Sequence, residues 1–161
     1  MRPKDAIQER RTLPVLAPRA QRGRALLVNE DLDALRRYCN ILQGWGYQVR
    51  AYSSYEEGVC CLGSEEFDFI MVSQGSRNFE GRCVLERAIE VNRRTPVLVI
   101  ARCLDMACYL EAMQLGAADY LAEPVAALEM DRVLKNHRKT LNSAGNVEAD
   151  FRRAPAFDGA A

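Results

Sequence analysis

Histidine is almost missing from this chain: among 161 residues there is one, His137. That alone argues against a histidine-built metal site. Net charge is missing as well, because 22 Lys and Arg balance 22 Asp and Glu, so no whole-molecule field points to nucleic acid or to an anionic membrane surface. The apolar runs, such as Ile70 to Val72 and Pro96 to Ala101, are strand-sized, far below the roughly 20 residues that cross a bilayer. Pro14 and Pro18 break up Leu13 to Ala17 and leave no apolar core for a secretory signal, so a cytoplasmic location is expected. There is no C-x-x-C pair either. The six cysteines (Cys39, Cys60, Cys61, Cys83, Cys103, Cys108) therefore read as reduced and mostly buried thiols, with the Cys60-Cys61 and Cys103-x4-Cys108 pairs open to a redox role.

What is present suits a packed, water-soluble fold: 48% hydrophobic and 27% charged residues in a length that fits one domain. The zero net charge conceals an asymmetry. Residues 1–24 carry seven basic side chains (Arg2, Lys4, Arg10, Arg11, Arg19, Arg22, Arg24) against Asp5 and Glu9, so this stretch is +5 and the remainder −5. Four of the six prolines (Pro3, Pro14, Pro18, Pro155) also lie in the first 20 or last 10 residues. The expected organisation is a basic N-terminal arm without fixed structure at 1–23, a folded body at 24–141 and a disordered C-terminal tail at 142–161.

Within the body, short apolar runs alternate with amphipathic stretches. Ala25 to Val28 is a strand buried on both faces that stops at Asn29-Glu30-Asp31. Leu32, Leu35, Tyr38, Cys39 and Leu42 recur at helical spacing up to Gly44 and Gly46. Tyr47 to Val49 is a short second strand. Ser54 to Glu57 has the Ser-x-x-Glu form of a capping box before Val59, Cys60 and Leu62. Phe67 to Val72 is a third strand, Ser73 to Gly81 a loop, and Val84 to Val91 a third helix. Pro96 to Ala101 is a fourth strand, Leu104 to Leu115 a fourth helix ending at Gly116, Asp119 to Ala122 a fifth strand, and Val125 to Leu141 a last helix. Five strands alternating with five helices imply right-handed crossovers and a doubly wound parallel sheet. Ligands of such sheets bind beyond the carboxyl ends of the strands.

The residues at those ends resemble a known family. Ala25 to Asp31, Phe67 to Ser73, the loop ending Glu80-Gly81, Thr95 to Ala101 and Gly116 to Pro124 look like the receiver domain of bacterial two-component response regulators. The resemblance covers the whole body. It implies a flavodoxin-like (βα)5 three-layer sandwich with sheet order 2-1-3-4-5, a non-enzymatic role in phosphorelay signalling and a protein partner or homodimer. The family's site needs an acidic pair after strand one, an aspartate ending strand three, a Thr or Ser ending strand four and a lysine before the proline. Here those positions hold Asn29 and Glu30, Ser73, Ala101, and Glu123, and Glu30 alone keeps its chemical type.

Each change opposes aspartyl phosphorylation. A neutral serine is a poor nucleophile without a base, and its phosphate ester is not a labile signal. Exchanging carboxylates for Asn29 and Ser73 removes two charges from a magnesium site, so no cofactor is expected and only weak Mg2+ binding at Glu30. Ala101 has no hydroxyl to donate, and Glu123 would repel a phosphoryl dianion. Arg102 replaces a residue that is small in ordinary receivers and is expected to pair with Glu30 or Glu123 over the pocket. Tyr120 falls at the family's switch aromatic.

The expected function is accordingly a stand-alone pseudo-receiver that lacks the phosphoacceptor and docks through its helix 4–strand 5–helix 5 face. That face would draw on Met106, Tyr109, Met113, Ala117, Asp119, Asp131, Arg132 and Lys135. The alternatives are regulation by Ser73 phosphorylation, a ligand or thiol redox, and nucleic-acid binding through the basic tails. A Ser–His hydrolase fits poorly, because Val72-Ser73-Gln74-Gly75 is not G-x-S-x-G and His137 lies late in the last helix.

Overall fold

The computed structural model describes the backbone of residues 21–151 and the side chains of 21–140. Strand and helix alternate five times: β1 (Gly23–Val28), α1 (Leu32–Gly44), β2 (Tyr47–Tyr52), α2 (Tyr55–Leu62), β3 (Phe69–Ser73), α3 (Arg82–Val91), β4 (Val97–Ala101), α4 (Met106–Leu115), β5 (Asp119–Ala122) and α5 (Ala127–Phe151). The strands form one parallel sheet in the order β2-β1-β3-β4-β5. This is the flavodoxin-like arrangement expected from the alternation.

The period of two along each strand sorts the core into two layers. Leu26, Val28, Ile70, Val72, Val97 and Val99 point to one side and pack with Leu62, Val84, Leu85, Ala88, Cys108 and Ala112 of α2, α3 and α4. Ala25, Leu27, Phe69, Met71, Leu98 and Ile100 point to the other and meet Ala34, Tyr38, Leu42, Met130, Val133 and Leu134 of α1 and α5. A central strand covered on both faces has no place for a polar residue. That is why Ala25 to Val28 and Val97 to Ala101 are uninterrupted apolar runs.

Local chemistry fixes where the helices start. Asp31 caps α1 by accepting from the amides of Asp33 and Ala34 at 2.9 and 3.1 Å. Those backbone bonds hold its carboxyl below the usual range. Ser54 accepts from the Glu57 amide, giving α2 the first half of the capping box. Asp105 caps α4 through the Cys108 amide, so that helix begins at Met106 and not at Leu104. Gly116 ends α4 with φ 107°, a conformation that suits glycine.

Several boundaries and burials differ from expectation. β3 lies at Phe69–Ser73 and not at Phe67 to Val72, because pairing with β1 begins at Phe69 and pairing with β4 runs through Ser73. The last helix continues to Phe151, ten residues past the expected body end at Leu141. Most of the expected arm at 1–23 and the end of the tail at 152–161 lie outside the described residues. The thiols are not mostly buried: Cys61 and Cys108 are, whereas Cys60, Cys83 and Cys103 are exposed and Cys39 is half-buried. Each exposed cysteine sits on the solvent side of a helix or in a loop, where periodicity alone does not reveal the outward turn.

Candidate functional site

Parallel strands deliver their carboxyl ends to one edge of the sheet. There the chain brings together Asn29 and Glu30 after β1, Ser73 at the end of β3, Ala101 at the end of β4 and Glu123 after β5. The Glu123 amide donates to the Ala101 carbonyl at 2.8 Å, carrying the β4–β5 register into the site. The Glu123–Pro124 peptide is cis.

Asn29 and Glu123 are matched as donor and acceptor. Asn29 is only 1% exposed; its Nδ2 donates to Glu123 Oε1 at 3.1 Å while its Oδ1 accepts from the Asp31 amide at 2.9 Å. An amide can do both at once, whereas an aspartate at position 29 would set one carboxylate against another. Burial pushes the Glu123 carboxyl above its ordinary range, and the Asn29 bond offsets part of that.

Glu30 is occupied on both oxygens. Oε1 accepts from the Arg102 guanidinium at 3.2 Å and Oε2 from the Tyr55 hydroxyl. Of the two partners expected for Arg102, the ion pair is therefore with Glu30, and it joins the loop after β1 to the loop after β4. Arg102 remains 57% exposed, which places the pair on the rim and keeps it weak by solvent screening. Tyr55 is held neutral: burial raises its hydroxyl well above the ordinary value, and the bond to Glu30 adds to this.

Ser73 is 4% exposed, and its hydroxyl accepts from the Gly75 amide at 3.1 Å. The loop after it is tightly laced. Glu80 accepts from both the amide and the hydroxyl of Ser76 at 2.7 and 2.6 Å, and the hydroxyl bond is the main reason its carboxyl lies below the usual range. Gly81 lets α3 approach β3: a Cβ there would sit 1.9 Å from the Ser73 carbonyl oxygen. Glycine is required by that contact.

Two members of the cluster, Tyr55 and Gln74, are not evident from the strand-end pattern. Gln74 is 2% exposed, and every polar group on it is used. Its amide donates to the Ile100 carbonyl at 2.7 Å and its Nε2 to the Ser76 carbonyl at 3.0 Å, while its Oε1 accepts from the Tyr120 hydroxyl. The same Tyr120 oxygen accepts from the Asp105 amide at 3.2 Å. Tyr120 is buried and tied to the β3–α3 loop and to the start of α4. The position of Gln74, directly after the apolar run of β3, is the signal that the sequence offered.

The expected docking face is assembled around β5, an edge strand with α4 on one side and α5 on the other. Met106, Tyr109 and Met113 are exposed on α4, and Leu104 and Leu110 extend the apolar surface. Leu104, Asp105, Met106, Tyr109 and Tyr120 line a depression of about 430 Å3. Ala117 does not belong to this face, since it is buried and packs into the core beneath α4. On α5, Arg132 is exposed and Asp131 pairs with Lys135 at 2.5 Å. Asp119 turns back to accept from the Tyr120 amide at 2.8 Å.

Among the described residues no helix is long and apolar enough to cross a membrane, and no three His, Cys, Asp or Glu side chains converge as a metal site would require. No family model matches the chain. It is 27% identical over 135 residues to the transcriptional regulatory protein ZraR of Salmonella typhimurium, an alignment that takes in 81% of this chain and 29% of ZraR. The chain therefore spans less than a third of the length of that relative. The signal receiver domain of an HD domain-containing protein from Pseudomonas fluorescens superposes with TM-score 0.67 at 20% identity, over 76% of this chain and 99% of that one. A response regulator from Burkholderia pseudomallei, solved with a phosphorylated aspartic acid, superposes with TM-score 0.65 at 22% identity, over 78% and 74%. The described body thus has the fold of these receiver domains, a five-stranded parallel sheet of order β2-β1-β3-β4-β5.

Proposed function

We propose that this receiver domain signals by docking a protein partner in the cytoplasm, without a phosphoaspartate cycle and without a metal cofactor. The observation that carries the reading is Ser73: the residue ending β3 is a buried neutral alcohol, held by the Gly75 amide and the Tyr55 hydroxyl, where a carboxylate would be needed to accept a phosphoryl group as an acyl phosphate. Its neighbours agree. Glu123 stands at the position where a phosphoryl group would need a cation, and Ala101 offers no hydroxyl.

The donor set does not suit Mg2+, which asks for several free oxygen ligands in near-octahedral order. Glu30 is engaged by Arg102 and Tyr55, Asn29 by Glu123 and Asp31, and Ser73 by Gly75. Output then falls to the apolar surface of α4 flanked by β5 and α5. Methionine and tyrosine adapt to varied partner shapes, and aromatic and Met side chains are enriched at the centres of protein interfaces.

The test is an amide NMR titration of the full chain with Mg2+ and then beryllofluoride. The expected result is no saturable shift at Glu30, Ser73 or Ala101. Saturable shifts confined to those residues would overturn the phosphate-independent reading.

A further inference from the structure

The opposite end of the sheet carries a different cluster. Arg22 precedes β1, Asp68 precedes β3, Arg94, Thr95 and Pro96 lead into β4, and Arg138 lies on α5. Together with Phe67, Asn92 and Leu134 they line a cavity of about 280 Å3. We propose that this cavity is a binding site for a phosphoryl group, held by Arg22, Arg94 and Arg138.

The frame that carries the three arginines is fixed by main-chain bonds. The Arg22 amide donates to the Gly46 carbonyl at 3.0 Å, anchoring the entry to β1. The Arg94 amide donates to Asn92 Oδ1 at 2.9 Å, and its carbonyl oxygen lies 3.0 Å from Nε2 of His137, the residue next to Arg138 on α5. The sole histidine thereby draws Arg94 and Arg138 to one rim. Asn92 keeps its side-chain amide nitrogen for a ligand, whereas the Thr95 hydroxyl is spent on the Phe67 carbonyl at 3.0 Å.

Charge supports the assignment. Six arginines elsewhere in the described body meet carboxylates: Arg24 and Arg50 share Glu65, Arg77 meets Asp105, Arg82 meets Glu86 and Glu111, Arg87 meets Glu90, and Arg102 meets Glu30. Arg22, Arg94 and Arg138 make no such pair among the described residues. The single carboxylate of the lining, Asp68, accepts from the Arg24 amide at 2.7 Å and is turned toward the backbone of β1. Three guanidiniums against one engaged carboxylate leave an uncompensated positive pocket. Guanidinium forks match the oxygens of a phosphate, and the volume holds a mono- or diphosphate group but little more.

The group can belong to a small phosphate ester or to a nucleic-acid backbone, and the experiment separates the two. Full-length protein is titrated with inorganic pyrophosphate while the amide and arginine Nε signals are followed by NMR. A single-stranded oligonucleotide is titrated in parallel. Saturable shifts confined to Arg22, Asn92, Arg94 and Arg138 are expected with pyrophosphate, weakened about tenfold in an Arg94→Gln, Arg138→Gln double variant that loses two charge-assisted forks. Arg93→Gln, which removes a neighbouring exposed arginine outside the lining, should leave the affinity unchanged. An equal loss in that control would reduce the effect to general surface charge and overturn the site. So would oligonucleotide binding in the absence of any pyrophosphate response, since that marks an extended polyanion surface and not a pocket. This inference is independent of the fate of Ser73, because its residues lie at the other end of every strand.

Discussion

At the carboxyl end of the sheet polar groups answer one another: Asn29 meets Glu123, Glu30 meets Tyr55 and Arg102, and Gln74 meets Tyr120. On α4 and the turn that leads into it just beyond Arg102, the apolar side chains of Leu104, Met106, Leu110 and Met113 lie exposed. A site meant to bind a dianion leaves charge uncompensated inside a pocket, and a site meant to dock leaves apolar area uncovered outside one. The first region has been closed by its own residues, and the second has been left open. Tyr120 joins them, because its hydroxyl is held by the closed region while its ring packs edge-on against Tyr109 of the open one at 5.7 Å.

The contrast can be broken most severely at Gly81. Any side chain there meets the Ser73 carbonyl at 1.9 Å, and backbone is on both sides of the clash. Gly81→Ala should cost about 3 kcal/mol as an overpacked contact, read from the urea midpoint at unchanged m-value. A loss below about 1 kcal/mol would mean that the β3–α3 loop moves freely, and the closed region would no longer be rigid.

Gln74→Leu comes next. It strands the Tyr120 hydroxyl and the Ser76 carbonyl, and leaving buried polar groups unpaired costs about 2 kcal/mol. Tyr120→Phe alone should cost somewhat less: it leaves the Gln74 Oε1 without its donor and the Asp105 amide without its acceptor, and the second bond is only part-buried. If the two variants behave identically and the double variant adds nothing further, the bond between them accounts for the whole effect.

Arg102→Ala sharpens the comparison from the rim. Its pair with Glu30 is largely in water, so the stability change should be under about 1 kcal/mol. Hydrogen exchange at Glu30, Asp31 and Cys103 should nevertheless quicken, because the link between two loops is gone. Unchanged exchange would remove Arg102 from the closure. On the open side, Met106→Ser should move stability by no more than about 0.5 kcal/mol, as expected for a surface position without buried contacts. A larger loss would turn the proposed docking face into ordinary core.

Most of the frame was legible in the sequence because strand burial, helix caps and glycine stops are written locally. Ala25 to Val28, the Ser54 cap and Gly116 all fall where the pattern put them. Strand-end residues Asn29, Glu30, Ser73, Ala101 and Glu123 follow from topology once the parallel sheet is recognised. What stayed hidden depends on tertiary approach. Tyr55 read as part of a capping box, and nothing near it in the chain says that its hydroxyl crosses to Glu30. Gln74 read as loop composition, and its burial arises from the inward course of that loop beneath Tyr120. Ala117 had helical spacing in its favour but lies past the end of α4, where the chain turns into the core. The exposed cysteines erred in the same way, since residue type predicts burial only on average.

The smallest expected effect is the pH dependence contributed by Glu123. Its carboxyl is raised in the folded state, chiefly by burial, so the native protein binds that proton more tightly than the unfolded chain does. Stability therefore falls as pH rises from the unfolded pKa through the higher folded one, and the cost of a charged Glu123 is fully present above that window. Glu123→Gln keeps an oxygen for the Asn29 amide and deletes the charge. The variant should be slightly more stable than the parent at neutral pH, with the difference shrinking as the pH is lowered through the carboxylate range. Urea midpoints of both proteins across that range provide the measurement. A variant that is less stable at neutral pH would show that the charge is stabilised by Arg37 and Arg102 more than burial penalises it, and the closed region would then owe its order to ion pairing across the pocket.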